Sequence, residues 1–172
     1  AVTLATLTGV KPRTHSRMIV MFVPSTVHLG EIIVKMLEHK PETLESYDDH
    51  TFKIAIKFFK DIALRMGGNM FTLGLQFLPE FWMALTGGVP KIIRMAEFTG
   101  DSEEDVDRQV VAAYKDMKSF NLPIKKTGSE RESKKYWTFR RESFALLRSR
   151  LKGMRTAPTI DDLVVHPNDL PQ

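Results

Sequence analysis

The sequence predicts an α+β domain, a mainly antiparallel sheet covered by helices, with a helical insertion over about residues 67–90. Three observations predict it. Short β-rich apolar runs alternate with stretches whose apolar residues recur every three or four positions. Their order is β-α-β, an α-rich insertion, β-α-β, then a helix and a strand. The chain of 172 residues, 42% apolar and 27% charged, is long enough to bury a core without covalent staples.

The first strand is "RMIVMFV", Arg17 to Val23, a buried apolar run closed by Pro24. Ser25 or Thr26 is placed to cap the helix that follows, with Val27, Gly30, Val34 and Leu37 as its stripe and Ile33 widening it. His39, Lys40 and Pro41 end that helix. "ETLESYD" is a short alternating strand. Asp48 or Asp49 caps a second helix with Phe52, Ala55, Ile56, Phe59, Ala63 and Met66 on one face, and Gly67-Gly68 terminates it.

Residues 69–90 are apolar but broken by Gln76, Pro79, Glu80 and glycines. A membrane span needs about 20 largely uninterrupted apolar residues, so this run is not one. It reads as a helical insertion packed on the domain or on a neighbour; a lid over a ligand pocket and a membrane-surface contact are the sharper alternatives.

"KIIRMAEFTG" is the clearest strand, ended by Gly100. Asp101 and Ser102 open a helix whose acidic start, "DSEEDVD", suits the positive end of the helix dipole. Val106, Val110, Ala113 or Tyr114, and Met117 form its buried stripe. "LPIKKT" is a brief strand. Ser129 and Glu132 make a capping-box pair that opens the next helix, which Gly153 closes. "TIDDLVV" gives a last strand. Without the insertion, the first part is the split β-α-β arrangement of ferredoxin-like folds, with crossover helices over one face of the sheet.

The helix "KKYWTFRRESFALLRSRLK" carries the main chemical anomaly. Trp137, Phe144, Leu147 and Leu151 share one face, and Arg140 falls on that face too. A guanidinium stays ionised, and burying it unpaired costs several kcal/mol, roughly, so something must meet it. One partner is a carboxylate or carbonyl of the protein, with the stem covering apolar surface. The other is a carboxylate on a ligand, which the planar fork matches in a bidentate pair.

Other patterns are weaker. His15, His28, His39, His50 and His166 show no helical metal-site spacing, and no HExxH pattern exists. Asp161 and Asp162 are neighbours in a strand and point to opposite faces, which makes a poor acid–base pair. No serine sits in a GxSxG context, and no glycine loop is built to cradle phosphate. With no cysteine, disulfides and thiolate metal sites are excluded. The net charge of +4 is mild and interleaved with acids, and the strands lack paired aromatics of the RNA-binding kind, so no nucleic-acid partner is expected.

Two stretches, "YWTFRRESFALL" and "APTIDDLVVHPNDLP", resemble the flavin-linked oxidase family of glycolate oxidase, respiratory D-lactate dehydrogenase and D-2-hydroxyglutarate dehydrogenase. A Trp-x-x-Arg helix leads there to an Asp-x-x-Val strand and a Leu-Pro helix start; here these are Trp137–Arg140, Asp162–Val165 and Leu170-Pro171. "AVTLATLTGVKPR" and "AEFTGDSEEDV" are similar to the family's entry strand and to its cap's strand and acidic helix start. The resemblance implies that residues 1–15 are the end of an FAD-binding domain or a linker. It makes residues 16–172 the cap, or substrate-binding, domain, cut at its C-terminus. Both chain ends read as interior, so a longer parent protein is expected.

It further implies an FAD-dependent oxidation of a small D-2-hydroxy acid, of lactate or glycolate type, to the 2-oxo acid. FAD would be held mainly by the absent domain, and a divalent metal would sit in an absent C-terminal part. No catalytic residue is expected in this chain. The resemblance implies substrate-binding roles for Arg140, Trp137, Phe144 and Ile160, with Arg140 on the carboxylate. Phe144 and Ile160 depart from polar residues of some relatives, which implies a substrate less polar than a dicarboxylate. The expected location is cytoplasmic, with peripheral attachment at the inner face of a membrane through Met70–Val89 as the alternative. The rival class is a stand-alone ferredoxin-like module for ligand sensing or protein interaction, which predicts natural ends near Ala1 and Gln172.

Overall fold

The computed structural model describes residues 13–58 and 88–150, together with Gly9. Four strands and four helices occupy them: β1 (His15–Val23), α1 (Leu29–Glu38), β2 (Thr43–Asp48), α2 (Asp49–Lys57), β3 (Ile92–Gly100), α3 (Glu103–Met117), β4 (Ile124–Lys126) and α4 (Glu130–Arg150). The sheet has the order β2-β3-β1-β4, and every neighbouring pair is antiparallel. That order is the one expected of a ferredoxin-like chain. The expected insertion, its preceding Gly67-Gly68, and the last strand with Ile160 lie outside the described residues.

Helices cover both faces of the sheet rather than the one face expected. β1 and β3 are central, so β1 is closed on both sides, and Met18 to Val23 are all buried. This explains why "RMIVMFV" is apolar throughout instead of alternating. Ile19, Met21, Ala96 and Phe98 point to one face and meet Val106, Val110, Ala113 and Met117 of α3, with Ile32 and Met36 of α1. Met18, Val20, Phe22, Ile93 and Met95 point to the other and meet Phe52 of α2 and Tyr136 of α4, with Tyr47 of β2.

The stripe expected on α3 is the stripe observed, and its cap is Ser102, whose hydroxyl accepts from the Asp105 N–H at 3.2 Å. Gly100 is needed where β3 turns into α3, because a Cβ there would sit 2.8 Å from a Val106 methyl. Asp48 caps α2 as expected, accepting from the Thr51 N–H at 2.8 Å.

α1 is a correction. It begins at Leu29, its N-cap is His28 without a side-chain bond, and Val27 and Leu37 are 53% and 44% exposed. The buried stripe is Leu29, Ile32, Ile33 and Met36. Ser25 instead closes a turn on the Val27 N–H, which delays the helix, and the buried face lies about a third of a turn from the expected stripe.

Candidate functional site

α4 is fixed at its start by a buried polar knot. The Thr127 hydroxyl accepts from the Met18 N–H at 2.8 Å and is 2.8 Å from the Ser133 hydroxyl. Ser129 accepts from the Glu132 N–H, while the Glu132 carboxylate reaches back to the Gly128 N–H, one residue beyond the usual capping box. Ser133 and Tyr136 are then buried at three-residue spacing. Arg140 continues that stripe one turn on, beside the edge strand β2.

At that edge Arg140 meets Glu45. Arg140 Nη2 donates to Glu45 Oε2 at 2.6 Å, and both side chains are 39% exposed. The structure therefore supplies the protein carboxylate that one reading of this arginine requires. The bond is single, however. Among the described residues no other acceptor meets this guanidinium, so Nε and Nη1 keep open donors.

The same arginine lines an open cavity of about 760 Å³. Its walls are Ser16, Ser46, Tyr47, Thr51 and Glu97 from the sheet and α2, and Glu130, Lys134, Trp137, Arg140 and Arg141 from α4. Trp137 is half-buried, with part of its ring against the core. Lys134 is taken by Glu130 at 2.8 Å, and that bond holds the Glu130 carboxyl below its ordinary range. Arg141 is 73% exposed, with Glu142 at 3.9 Å.

Of the four residues expected to bind substrate, the structure brings Trp137 and Arg140 to this cavity. Phe144 stands on α4 one turn beyond Arg140; its side chain and all of Ile160 lie outside the described residues. Sequence reasoning missed Glu45 and Arg94. Arg94 is half-buried on β3, paired between Met21 and Ser46, and its buried Nε has no hydrogen-bond partner. Burial lowers its guanidinium below the ordinary arginine value, while the charge of Glu45 works the other way. Arg94 could have been flagged as a charge in a strand that otherwise reads as covered, whereas Glu45 stands in an alternating strand where a charge is unremarkable.

Asp48, Asp49 and His50 lie close enough together to offer three ligand atoms to a cation. Their charges are otherwise employed. Burial raises the Asp48 carboxyl, but the Thr51 cap bond and His50 more than offset it, and the group lies below its ordinary value. Asp49 is held down chiefly by Lys53, at 2.8 Å. Among the described residues no cradle for a dinucleotide pyrophosphate is present either: the space at the crowded glycine, Gly100, is taken by Val106 and Asp105 of its own chain. No helix among them is long and apolar enough to cross a membrane.

This arrangement defines an α+β domain with an open cavity lined by a half-exposed cation, an aromatic edge and hydroxyls. Residues 12–172 match the family described as FAD linked oxidases, C-terminal domain, and the chain belongs to that family, which makes it part of an FAD-dependent oxidoreductase. Among curated proteins none matches it.

Proposed function

We propose that this domain is the substrate-binding cap of a flavoenzyme that oxidises a small D-2-hydroxy acid, of lactate or glycolate type, to the 2-oxo acid. The observation that carries the reading is Arg140. It stands half-exposed in the wall of a cavity with one hydrogen bond among the described residues, on a helix anchored at its other end by buried hydrogen bonds.

FAD is assigned mainly to the flavin-binding domain of the parent protein, and the cavity at Arg140 to the substrate. Hydride acceptance is the flavin's chemistry. This chain's part is to bind and orient. Arg140 takes the substrate carboxylate on the edge of its fork that Glu45 leaves open, with the second N–H of Nη2 as one of the two donors, which fixes the direction of the adjacent α-carbon. Trp137 and Tyr47 supply apolar surface against which the short carbon chain lies, and they exclude water from that side. The apolar character of Phe144 and Ile160 is in keeping with a substrate bearing one carboxylate.

The test is Arg140→Ala in the FAD-loaded full-length protein, assayed with D-lactate and glycolate. Loss of a charge-assisted pair of hydrogen bonds lowers kcat/KM by about 10- to 100-fold, and Arg140→Lys recovers only part of it. Unchanged kinetics in Arg140→Ala would remove the reading.

A further inference from the structure

We propose that Glu45 is a positioning and specificity-determining residue for the carboxylate site at Arg140. It holds the guanidinium against the sheet edge, and its fixed negative charge selects ligands with a single carboxylate. This rests on the reading of Arg140 as the substrate anchor.

Glu45 is placed on a strand, opposite Met95, so its backbone is set by the sheet ladder and not by a loop. It accepts one bond from Arg140, 95 residues away, at 2.6 Å. A long arginine side chain at a half-exposed position otherwise samples many rotamers. One short bond to a strand removes much of that freedom. The nearby charge of Arg94 acts favourably on Glu45, which keeps a second cation behind the pair.

The selectivity follows from counting charges. A ligand carboxylate on the open edge of Arg140 shares that cation with Glu45, and Arg94 behind the pair brings the group to balance with none to spare. A second ligand carboxylate needs another cation. Lys134 in the wall is paired with Glu130, and Arg141, also in the wall, is 73% exposed with Glu142 at 3.9 Å, so water screens its charge. Glu97 adds a further acid to the wall, with no ion-pair partner among the described residues. A dianion is therefore repelled by Glu45 about twice as strongly as a monoanion, and each 1.4 kcal/mol of such difference is about tenfold in affinity.

The experiment compares D-lactate with D-malate, which adds one carboxylate, on the FAD-loaded full-length protein. Binding is read by calorimetry and turnover by kinetics. Glu45→Gln keeps the shape and removes the charge. It is expected to tighten both acids, D-malate more, so that the lactate preference falls about tenfold, while kcat on D-lactate drops severalfold because Arg140 is less well held. Glu45→Asp keeps the charge but draws it back, so the preference stays and kcat falls. A merely structural Glu45 would not tighten binding of either acid. An unchanged preference in Glu45→Gln, with Arg140→Lys weakening both acids, overturns this inference and leaves the anchor standing. No saturable binding of either acid, or binding indifferent to Arg140→Lys, overturns the anchor and this inference together.

Discussion

Two arginines stand on opposite faces of one sheet and are treated in opposite ways. Arg17, on the α3 face, is 5% exposed. It donates to the Ser16 carbonyl at 3.0 Å and pairs with Glu103 and Asp107 of α3 at 3.4 and 3.3 Å. Arg140, on the α4 face, is 39% exposed and makes one bond among the described residues. The first is what a structural arginine looks like: the guanidinium is surrounded, the stem fills space, and no edge is left for a ligand. The second has a tether and a free edge. The difference extends to the surrounding faces. The α3 side is packed shut by Phe98, Val110, Ala113 and Met117, while the α4 side opens between Tyr47 and Trp137.

The largest way to break this contrast is to damage the closed face. Phe98 is 1% exposed and lies between the sheet and α3. Phe98→Ala should cost about 3–5 kcal/mol, the usual range for emptying a buried aromatic site. Urea unfolding reads this directly. The folded fraction should keep its affinity for D-lactate; a large loss of affinity would show that the two faces are coupled. Arg17→Met comes next. Its acid partners are about 60% exposed and can return to water, and a methionine fills part of the space. A loss of about 1 kcal/mol is expected, with no change in carboxylate binding. If Arg17→Met weakened ligand binding as Arg140→Ala does, the assignment of one arginine to structure and the other to function would fail.

On the closed face, α3 was the legible element. Val106, Val110, Ala113 and Met117 fall at helical spacing and are all buried, because a helix lying flat on a sheet exposes its pattern to a simple period. The strand order, too, follows from the succession of elements. The α1 stripe was misphased because a Ser25 turn, not a cap, decides where that helix starts. At the open face, Arg140 was visible as a cation on an apolar stripe. Glu45 was not, since their meeting depends on β2 lying at the sheet edge below α4, which no local pattern states. Arg17 went unremarked inside an apolar run, although its partners Glu103 and Asp107 stood in plain view as a helix start.

The smallest effect belongs to the cap of α2, on the open side. Asp48 accepts from Thr51, itself a wall residue of the cavity. Asp48→Ala should cost about 1 kcal/mol and fray the first turn of α2. Hydrogen exchange at the Thr51 amide should report this before global unfolding does. The effect also carries a pH signature. The Asp48 carboxyl lies below its ordinary value of 3.8 in the folded protein, so the unfolded chain takes up the proton first as pH falls. The cap's contribution is then fully present above that ordinary value and is lost as pH drops through the lower folded value. The stability gap between the protein and Asp48→Ala should thus be flat at neutral pH and close in acid. A gap that persisted unchanged well below the ordinary carboxylate range would mean that Asp48 supports α2 through packing and not through its charge. The α3 face should show no matching acid sensitivity at Ser102, whose capping hydroxyl does not titrate.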